Sequence, residues 1–397
     1  MSLGEHLAQL LGGLSPLEPL DVSLEGARGT SLAADIVAPQ PVPNFDLCEI
    51  SGYAVKAAEL APGAQLKVID RVSPGAANSQ PVYTGVCVAV FEGARLPGGA
   101  DAVVPANDLE SVGATIRVDH PVVPGYGVTL VGSQAQAGSL LLAAGRTVDA
   151  RAMGLLAAAG FPRVSVLPAP RVVVVTVGED LVSLQVDTVA AGMRFDSAGV
   201  LLQATAAQAG AMASHVGPVP MSNRKIREAL EDQLIRADLV VVSGGSETSD
   251  PAVKNFLTTV GRVAYDEGST SLGSFGYGDL GEDQIPVVAL PEHPIRAAML
   301  FNVIVVPMLR VMRGRGAQQP LTLTLGTDIS RHPQSTTLLL AQITSEGVAS
   351  PVLRMTPTVL DYASADAIIR ILPGEGVMSQ GSRIPAMRIN GGDRDEV

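Results

Sequence analysis

Three runs of almost entirely aliphatic residues constrain the fold of this chain more than any other feature. The runs cover residues 172–177, 239–242 and 287–290. They alternate with segments of helical spacing over 200–210, 224–237 and 295–312. Strands that are apolar at every position are buried on both faces, and their alternation with helices is typical of parallel sheets with two covered faces. The second half of the chain is therefore predicted to contain an α/β domain.

The rest of the chain has the pattern of smaller modules. Apolar residues at helical spacing predict a short helix over 3–11, and short β-type runs between Gly and Pro turns predict an all-β module from about 37 to 131. A helix is predicted over 149–159, and alternation returns after residue 314. A chain of 397 residues exceeds one ordinary core. The predicted fold class is a multidomain α/β plus β protein.

Charge and cysteine content exclude several classes of function. The formal net charge is −12 and Lys and Arg do not cluster, so a sequence-independent grip on nucleic acid or on an anionic membrane is not expected. Cys48, Cys87 and five scattered His residues match no zinc or disulfide spacing. The apolar segment 297–309 is shorter than a typical membrane span, and no signal peptide is predicted. A cytoplasmic location without membrane insertion is expected.

Five motifs resemble those of one known family in order and spacing. Within residues 27–55, SLAADIVAPQPVPNFDLCEISGYAV is similar to LAEDVVAPVDVPPFDNSAMDGYAV, and EGARLPGGADAVV at 92–104 is similar to TGAPLPEGADAVV. From Pro170, PRVVVVTVGEDLV resembles PRVAVISTGDELV, and from Ala237, ADLVVVSGGSETSD resembles ADVVITSGGVSVGD. VALPEHPIRA from Val288 resembles FGLPGNPVSA. The chain thus resembles the MoeA family, whose eukaryotic relative is the E domain of gephyrin.

This resemblance implies an architecture and an activity. It implies an elongated homodimer of chains with four subdomains. These are residues 1–43 with 131–168, an inserted β module at 44–130, a molybdopterin-binding-type α/β domain at 169–313 and a C-terminal β-barrel at 314–397. The reaction that it implies is the insertion of molybdenum from molybdate into adenylylated molybdopterin (molybdopterin-AMP), with Mg²⁺.

The resemblance also places candidate site residues on this sequence. The positions equivalent to catalytic residues of the family are Ser51, Glu92, Glu179, Asp180, Asp250, Glu267 and Ser271. The positions for cofactor binding are Ser243, Gly244, Gly245, Pro291 and Pro294. Polyanionic substrates require cationic side chains or exposed backbone N–H groups, and Mg²⁺ requires hard oxygen ligands.

Several of these positions differ in charge from the family pattern. The family Asp and Thr are Ser51 and Glu92 here, and no lysine remains in the segment 267–275. Glu292 and His293 replace Gly and Asn of the family motif. One charge contact near 4 Å is worth about 4 kcal/mol at an effective dielectric constant of about 20, so a carboxylate in place of a lysine opposes an anionic ligand. The expectation is a pocket stripped of positive side chains, with no cofactor and no metal.

Structural interpretations compete with functional ones at several residues. Ser243-Gly244-Gly245 is either a residual nucleotide site or a tight strand-to-helix turn, and the neighbouring acids are either Mg²⁺ ligands or helix caps. His293 is expected to be a hydrogen-bonded surface residue and Cys48 a packing residue. The segment 268–283 is expected to be exposed, as a binding loop or as a relic of the substrate loop.

Three functions follow from these observations. The leading hypothesis is a degenerate family member that acts as a dimeric peptide-binding scaffold, as the gephyrin E domain does, with a site around residues 314–360. The tail of FtsZ is the model partner, and partners would recruit the protein to the membrane or septum. The alternative is a molybdopterin molybdenumtransferase. The third is a catalyst with a new small-molecule substrate, in a pocket lined by Glu267, Asp180 and Asp250.

Overall fold

The computed structural model describes residues 1–76, 79–244 and 251–389. The chain forms two compact units. The larger, here called the α/β unit, consists of Met1–Asp21, Gly29–Ala33 and Ser165–Val397. The smaller, here called the β unit, consists of Val22–Arg28 and Ala34–Val164. The finer division into four subdomains stays a prediction.

The first 167 residues contain mostly short strands. In chain order the elements are α1 (Leu3–Gly12), β1 (Leu20–Ser23), β2 (Ser31–Leu32), β3 (Ile36–Val37), β4 (Leu47–Cys48), β5 (Gly52–Val55), β6 (Ala64–Val72), β7 (Val86–Val90), β8 (Ala102–Pro105), β9 (Glu110–Val112), β10 (Thr115–Val118), β11 (Val128–Thr129), β12 (Leu140–Leu142), α2 (Ala150–Ala158) and β13 (Arg163–Leu167). The main sheet of the β unit has the order β8-β5-β7-β6-β10-β9. One apolar cluster includes Val88 and Val103, and a second includes Val104 and Ile116. The all-β module predicted from the turn pattern is present.

A six-stranded mixed sheet organises the α/β unit. The elements from residue 168 onward are β14 (Arg171–Val177), β15 (Leu181–Val182), β16 (Arg194–Phe195), α3 (Ser197–Gln208), β17 (Met212–Val219), α4 (Asn223–Leu234), β18 (Leu239–Ser243), α5 (Ala252–Val260), β19 (Arg262–Asp266), β20 (Phe275–Leu280), β21 (Ile285–Leu290), α6 (Pro294–Leu300), α7 (Val306–Met312), β22 (Leu321–Leu325), β23 (Ile329–Ser330), β24 (Thr337–Ile343), β25 (Val348–Pro351), α8 (Val359–Ser364), β26 (Ala367–Ile371), β27 (Val377–Met378) and β28 (Arg383–Arg388). The strand order is β17-β14-β18-β21-β20-β19. The first four strands are parallel, and β20 is antiparallel to both its neighbours. The aliphatic runs of the sequence are β14, β18 and β21.

Both faces of this sheet are covered, as the aliphatic runs predicted. Val172 and Val174 of β14 belong to a core that includes residues of α3, α6 and α7. Val173 and Val175 belong to a second core that includes residues of α4 and α5. Alternate side chains of a strand point to opposite faces, so a strand between two helical layers must be apolar at every position.

The helix after β21 agrees with the predicted helical segment 295–312 and extends beyond the apolar stretch 297–309. A π-helical turn at Phe301–Val305 joins α6 to α7, so the helix runs over Pro294–Met312. By length and mean hydropathy it is able to cross a membrane, but 72% of its most apolar window is buried inside the protein. The Nδ2 atom of Asn302 donates to the carbonyl oxygen of Ala298 at 2.8 Å. These features are typical of a core helix, as predicted.

The C-terminal region forms a closed barrel with the strand order β22-β25-β24-β26-β28. Antiparallel pairing of β22 with β28 closes it. Its core includes Leu325, Ala341, Ile369 and Ile384. The C-terminal β-barrel predicted from the family resemblance is confirmed.

One predicted loop belongs to the sheet instead. The segment 268–283, expected to be exposed, contains β20, and Phe275 in that strand is 1% exposed. A Cβ atom added at Gly278 would lie 2.0 Å from the carbonyl oxygen of Arg262. The glycine content that suggested a loop therefore reflects close packing between β20 and β19.

Candidate functional site

The connections of the sheet reverse direction between β14 and β18. From β14 the chain passes through α3 to β17 on one side, and from β17 it passes through α4 to β18 on the other side. Open α/β sheets bind ligands at such a switch point, in the crevice outside the carboxyl ends of the strands. Here these ends are Val177 of β14 and Ser243 of β18.

A pocket of about 130 Å³ lies at this switch point. It is lined by Thr176, Val177, Leu181, Arg194, Phe195, Ser197, Ala198, Ser243, Glu292 and Pro294. A cavity of about 150 Å³ holds a benzene-sized molecule. The pocket therefore accommodates one oxyanion or one ring, while the remainder of a nucleotide-sized ligand would lie outside it.

Two helices begin at this pocket. Ser197 and Ala198 are the first residues of α3, and Pro294 is the first residue of α6. The N-terminus of a helix carries a partial positive charge and N–H groups without intrahelical partners, so it favours anions. These two helix ends thus favour an anion at this position, although the whole chain has a formal charge of −12.

Arg194 lines the pocket and binds two carboxylates. Its Nε atom lies 2.6 Å from Oδ2 of Asp180, and its Nη2 atom lies 2.5 Å from Oε1 of Glu292. The expectation that this pocket lacks positive side chains is therefore wrong. That expectation came from the motif positions alone, and Arg194 lies outside all five motifs.

A hydrogen-bonded cluster lies beneath the pocket. The hydroxyl of Thr176 donates to Oδ2 of Asp196 at 2.5 Å and lies 2.8 Å from Nε2 of His215, which is 3.1 Å from the same carboxylate oxygen. The other oxygen of Asp196 accepts from the N–H of Gly199. Burial raises the pKa of Asp196, but the hydrogen bonds from His215, Thr176 and Gly199 outweigh this effect and leave the pKa lowered. Asp196 is thus a buried carboxylate that fixes the start of α3.

Glycine is required in the turn after β18. Gly244 has φ +105°, and a Cβ atom there would lie 2.0 Å from the carbonyl oxygen of Val177. Ser243 is 2% exposed, and its hydroxyl donates to the carbonyl oxygen of Pro291 at 3.0 Å. These contacts favour the tight-turn interpretation for Ser243 and Gly244. Gly245 lies outside the described residues.

The acids after β14 do not cap helices, contrary to the structural interpretation. Glu179 accepts a hydrogen bond from the backbone N–H of Met221 at 2.7 Å, and Asp180 binds Arg194. Both acids hold loop segments at the carboxyl edge of the sheet instead. Asp250, the third of these acids, lies outside the described residues.

Glu267 and Ser271 have structural partners in the α/β unit. The carboxylate of Glu267 forms an ion pair with Nζ of Lys254. The hydroxyl of Ser271 accepts from the N–H of Leu338 in the barrel at 3.1 Å. Neither residue lines the 130 Å³ pocket. Asp250 lies outside the described residues, so a pocket lined by Glu267, Asp180 and Asp250 stays a prediction. The negative charge of Glu267 is compensated by a lysine that the motif comparison did not include.

The turn at Pro291–Pro294 initiates α6. His293 is its N-cap residue, and its Nδ1 atom accepts from the N–H of Arg296 at 3.5 Å. Pro294 occupies the first helical position, where a missing N–H has no cost. His293 is therefore hydrogen-bonded, as expected, and the turn presents Glu292 to the pocket.

In the β unit, Ser51 and Glu92 lie together: the hydroxyl of Ser51 accepts a hydrogen bond from the backbone N–H of Glu92 at 3.0 Å.

Cys48 is 1% exposed, and burial raises its pKa to about 11. A buried thiol with such a pKa is a poor nucleophile, which favours the packing role expected for it. Asp46 and Arg95 line a separate concavity of about 530 Å³ in this unit.

The described residues do not fit a Mg²⁺ ion held by protein side chains. They contain no group of three or more His, Cys, Asp or Glu side chains that could hold a metal. The carboxylates of Asp180 and Glu292 already bind the guanidinium of Arg194, and that of Asp196 is bonded to Thr176 and Gly199. Mg²⁺ commonly reaches proteins through substrate phosphates together with one or two carboxylates.

Four site residues were not identified from the sequence: Arg194, Asp196, His215 and Lys254. Asp196 followed by Ser197 and a helical segment is an N-cap signature, and this was the signal in the sequence that marked the start of α3. The predicted helix began at residue 200 instead. His215 lies in β17, a strand that the sequence analysis did not predict. The carboxylates of Glu267 and Glu292 lie 13 and 98 positions from their partners Lys254 and Arg194, so only the fold reveals these pairs.

Two family profiles match the chain. The first, the MoeA N-terminal region (domain I and II), matches residues 1–160. The second, a probable molybdopterin binding domain, matches residues 173–311 and contains the pocket at the switch point.

Individual proteins are similar over most of the chain. Molybdopterin molybdenumtransferase 1 of Mycobacterium tuberculosis is 32% identical over 340 residues, which cover 79% of each chain. Molybdopterin molybdenumtransferase of Staphylococcus aureus is 25% identical, over 93% of this chain and 91% of that protein. The crystal structure of a molybdopterin biosynthesis MoeA protein from Pyrococcus horikoshii has a TM-score of 0.85 and 25% identity, over 98% of both chains. This chain therefore belongs to the MoeA family of molybdopterin molybdenumtransferases.

Proposed function

We propose that this protein is a molybdopterin molybdenumtransferase, which inserts molybdenum from molybdate into adenylylated molybdopterin. The observation that carries this proposal is the pocket at the switch point, where two helix N-termini and Arg194 converge. The substrates of this reaction are molybdate and a phosphorylated pterin. Both carry oxyanion groups, which bind at helix N-termini and to arginine side chains. The proposal replaces the leading hypothesis of a degenerate member, which depended on a pocket without cations.

The residues of the pocket have distinct roles in this proposal. The N-termini of α3 and α6 hold one oxyanion group, and Arg194 supplies a full positive charge beside it. The hydroxyls of Ser197 and Ser243 line the same space. The cluster of Thr176, Asp196 and His215 keeps the start of α3 in place. Mg²⁺, where the reaction uses it, would accompany the substrate phosphates.

Complementation tests the proposal. A bacterial strain that lacks MoeA is expected to recover a molybdenum-dependent activity, such as nitrate reductase activity, when it expresses this chain. Arg194→Gln is expected to abolish or strongly reduce the recovery, because the pocket loses its full positive charge. Glu282→Gln, at the opposite end of β21, is the matched control and is expected to behave as wild type. Wild-type chain that is folded and abundant but restores nothing would overturn the proposal.

A second candidate function is the peptide scaffold, and one observation favours it. Four large apolar side chains are exposed between β25 and the end of α8: Leu353 at 61%, Met355 at 96%, Val359 at 57% and Leu360 at 81%. Clustered exposed apolar residues are typical of protein-binding surfaces. This surface, here called the 353–360 patch, overlaps the predicted peptide region 314–360. An FtsZ tail, recruitment to the septum and a cytoplasmic location belong to this proposal.

A further inference from the structure

Glu292 binds the guanidinium of Arg194, the group of the pocket that an anionic ligand would bind. Both residues line the pocket, and their side chains are 44% and 33% exposed. Glu292 precedes α6, so its carboxylate is an anion placed near the start of that helix. An incoming oxyanion would compete with Glu292 for the guanidinium of Arg194. Glu292 therefore occupies the electrostatic role of a ligand.

The backbone keeps Arg194 in place independently of Glu292. The N–H of Arg194 donates to the carbonyl oxygen of Asp180 at 2.8 Å, and β16 pairs with β15. The Nε atom is held by the carboxylate of Asp180, which leaves Nη2 as the group that binds Glu292. Release of Glu292 would thus free one face of a guanidinium that stays oriented toward the pocket.

The glutamate is a feature of this chain compared with the family motif. The family sequence LPGNPVS has glycine where this chain has Glu292. Glycine places no charge beside the arginine, whereas Glu292 and Asp180 together give the three groups a net charge of −1. The same pocket therefore repels an additional anion more strongly than it would with glycine.

We propose that Glu292 is an internal competitor that lowers the affinity of this pocket for phosphate-bearing ligands, and that binding requires the Arg194–Glu292 pair to open. The inference rests on the proposed function and concerns regulation of the same site. It predicts that ligand discrimination depends on charge: a ligand that carries a phosphate displaces Glu292, whereas a neutral analogue does not.

The test measures binding of AMP to the full-length protein by isothermal titration calorimetry at low ionic strength. Glu292→Gln is expected to bind AMP about fivefold more tightly than wild type, since partly exposed ion pairs are worth up to about 1 kcal/mol. Glu282→Gln removes an equal charge at the other end of β21 and is expected to leave the affinity unchanged. Adenosine, which lacks the phosphate, is expected to show no difference between wild type and Glu292→Gln.

A double-mutant cycle separates competition from a general charge effect. In the Arg194→Gln background, Glu292→Gln is expected to give no gain in AMP affinity, because no guanidinium remains to be released. Equal affinities of wild type and Glu292→Gln, or an equal gain without Arg194, would overturn the inference while the complementation result stands by itself. Absence of AMP binding in every variant also overturns it. Thermal unfolding within about 2 °C of wild type shows that each variant is folded.

Discussion

At the scale of single residues, the neighbours of a charged side chain in space decide whether its charge is neutralised or available to a ligand. Glu267 was expected to repel an anionic substrate, but it is paired with Lys254. Arg194 drew no attention in the sequence, yet it is the positive side chain of the pocket. The partners of Glu267 and Glu292 lie 13 and 98 positions away along the chain. A comparison limited to motif positions therefore misses both partners. The charge of a site is therefore a property of the fold.

The ionised carboxylate of Asp196 is expected to make the stability of the protein depend on pH. Its pKa is lowered in the folded state, so its contribution is fully present above the unfolded pKa of about 3.9 and is lost as the pH falls through the folded pKa. Asp196→Asn is expected to reduce the free energy of unfolding by about 2 kcal/mol at pH 7, and the difference should shrink below about pH 4. Urea denaturation at pH 7, 5, 4 and 3 measures this. The exposed Asp283→Asn is the control, and a difference that persists unchanged at pH 3 would contradict the account.

At the scale of elements, the order of connections places the site. Helical spacing predicted α1, α2, α3, α4 and the long helix that begins with α6, whereas α5 and α8 were not predicted. In the structure Asp149 caps α2 and Asp196 caps α3. The convergence of α3 and α6 on one pocket depends on the strand order, which brings β14 beside β18 and β18 beside β21.

The N-terminal helix α1 is held to the sheet by one histidine. Nε2 of His6 lies 3.3 Å from Oδ1 of Asp266, Nδ1 lies 2.9 Å from the hydroxyl of Tyr277, and the ring packs edge-on against Phe275. Leu3, which is 0% exposed, belongs to the main core, and Leu7, Leu10 and Leu11 of the same helix pack against that core.

His6→Ala is expected to loosen α1 and to reduce the free energy of unfolding by about 1–2 kcal/mol, because a partly buried carboxylate and a partly buried hydroxyl each lose one hydrogen-bond partner. Hydrogen exchange measured by mass spectrometry should become faster in the peptide that covers α1. Ala8→Gln, an exposed substitution on the same helix, is the control. Unchanged exchange in His6→Ala would show that apolar packing alone holds α1.

At the scale of the whole molecule, the two proposed functions require different parts of the surface. A transferase requires the pocket of the α/β unit, whereas a scaffold requires an exposed apolar surface such as the 353–360 patch. The homodimer also stays a prediction, and light scattering would reveal it as about 82 kDa, twice the 40.8 kDa of one chain.

Peptide binding tests the second function directly. A synthetic FtsZ C-terminal tail is expected to bind the wild-type protein in fluorescence anisotropy if the patch is a docking surface. The double substitution Met355→Ser with Leu360→Ser should weaken this binding at least about tenfold, since buried apolar anchors dominate such interfaces. Leu372→Ser, at another exposed apolar position of the barrel region, is the control. No binding by wild type would remove the FtsZ tail as a partner.

The sequence by itself determined the fold class, the two-sided cover of the parallel sheet, the C-terminal barrel and the family. The fold class and the covered sheet follow from periodicity, the family resemblance follows from the motifs and their order, and the barrel follows from that resemblance. Only the tertiary structure decided that residues 268–283 contain a buried strand, that Lys254 neutralises Glu267, and that Arg194 stands between Asp180 and Glu292 in the pocket. Electrostatic interactions depend on distances in space, and residues far apart along the chain acquire those distances only when it folds.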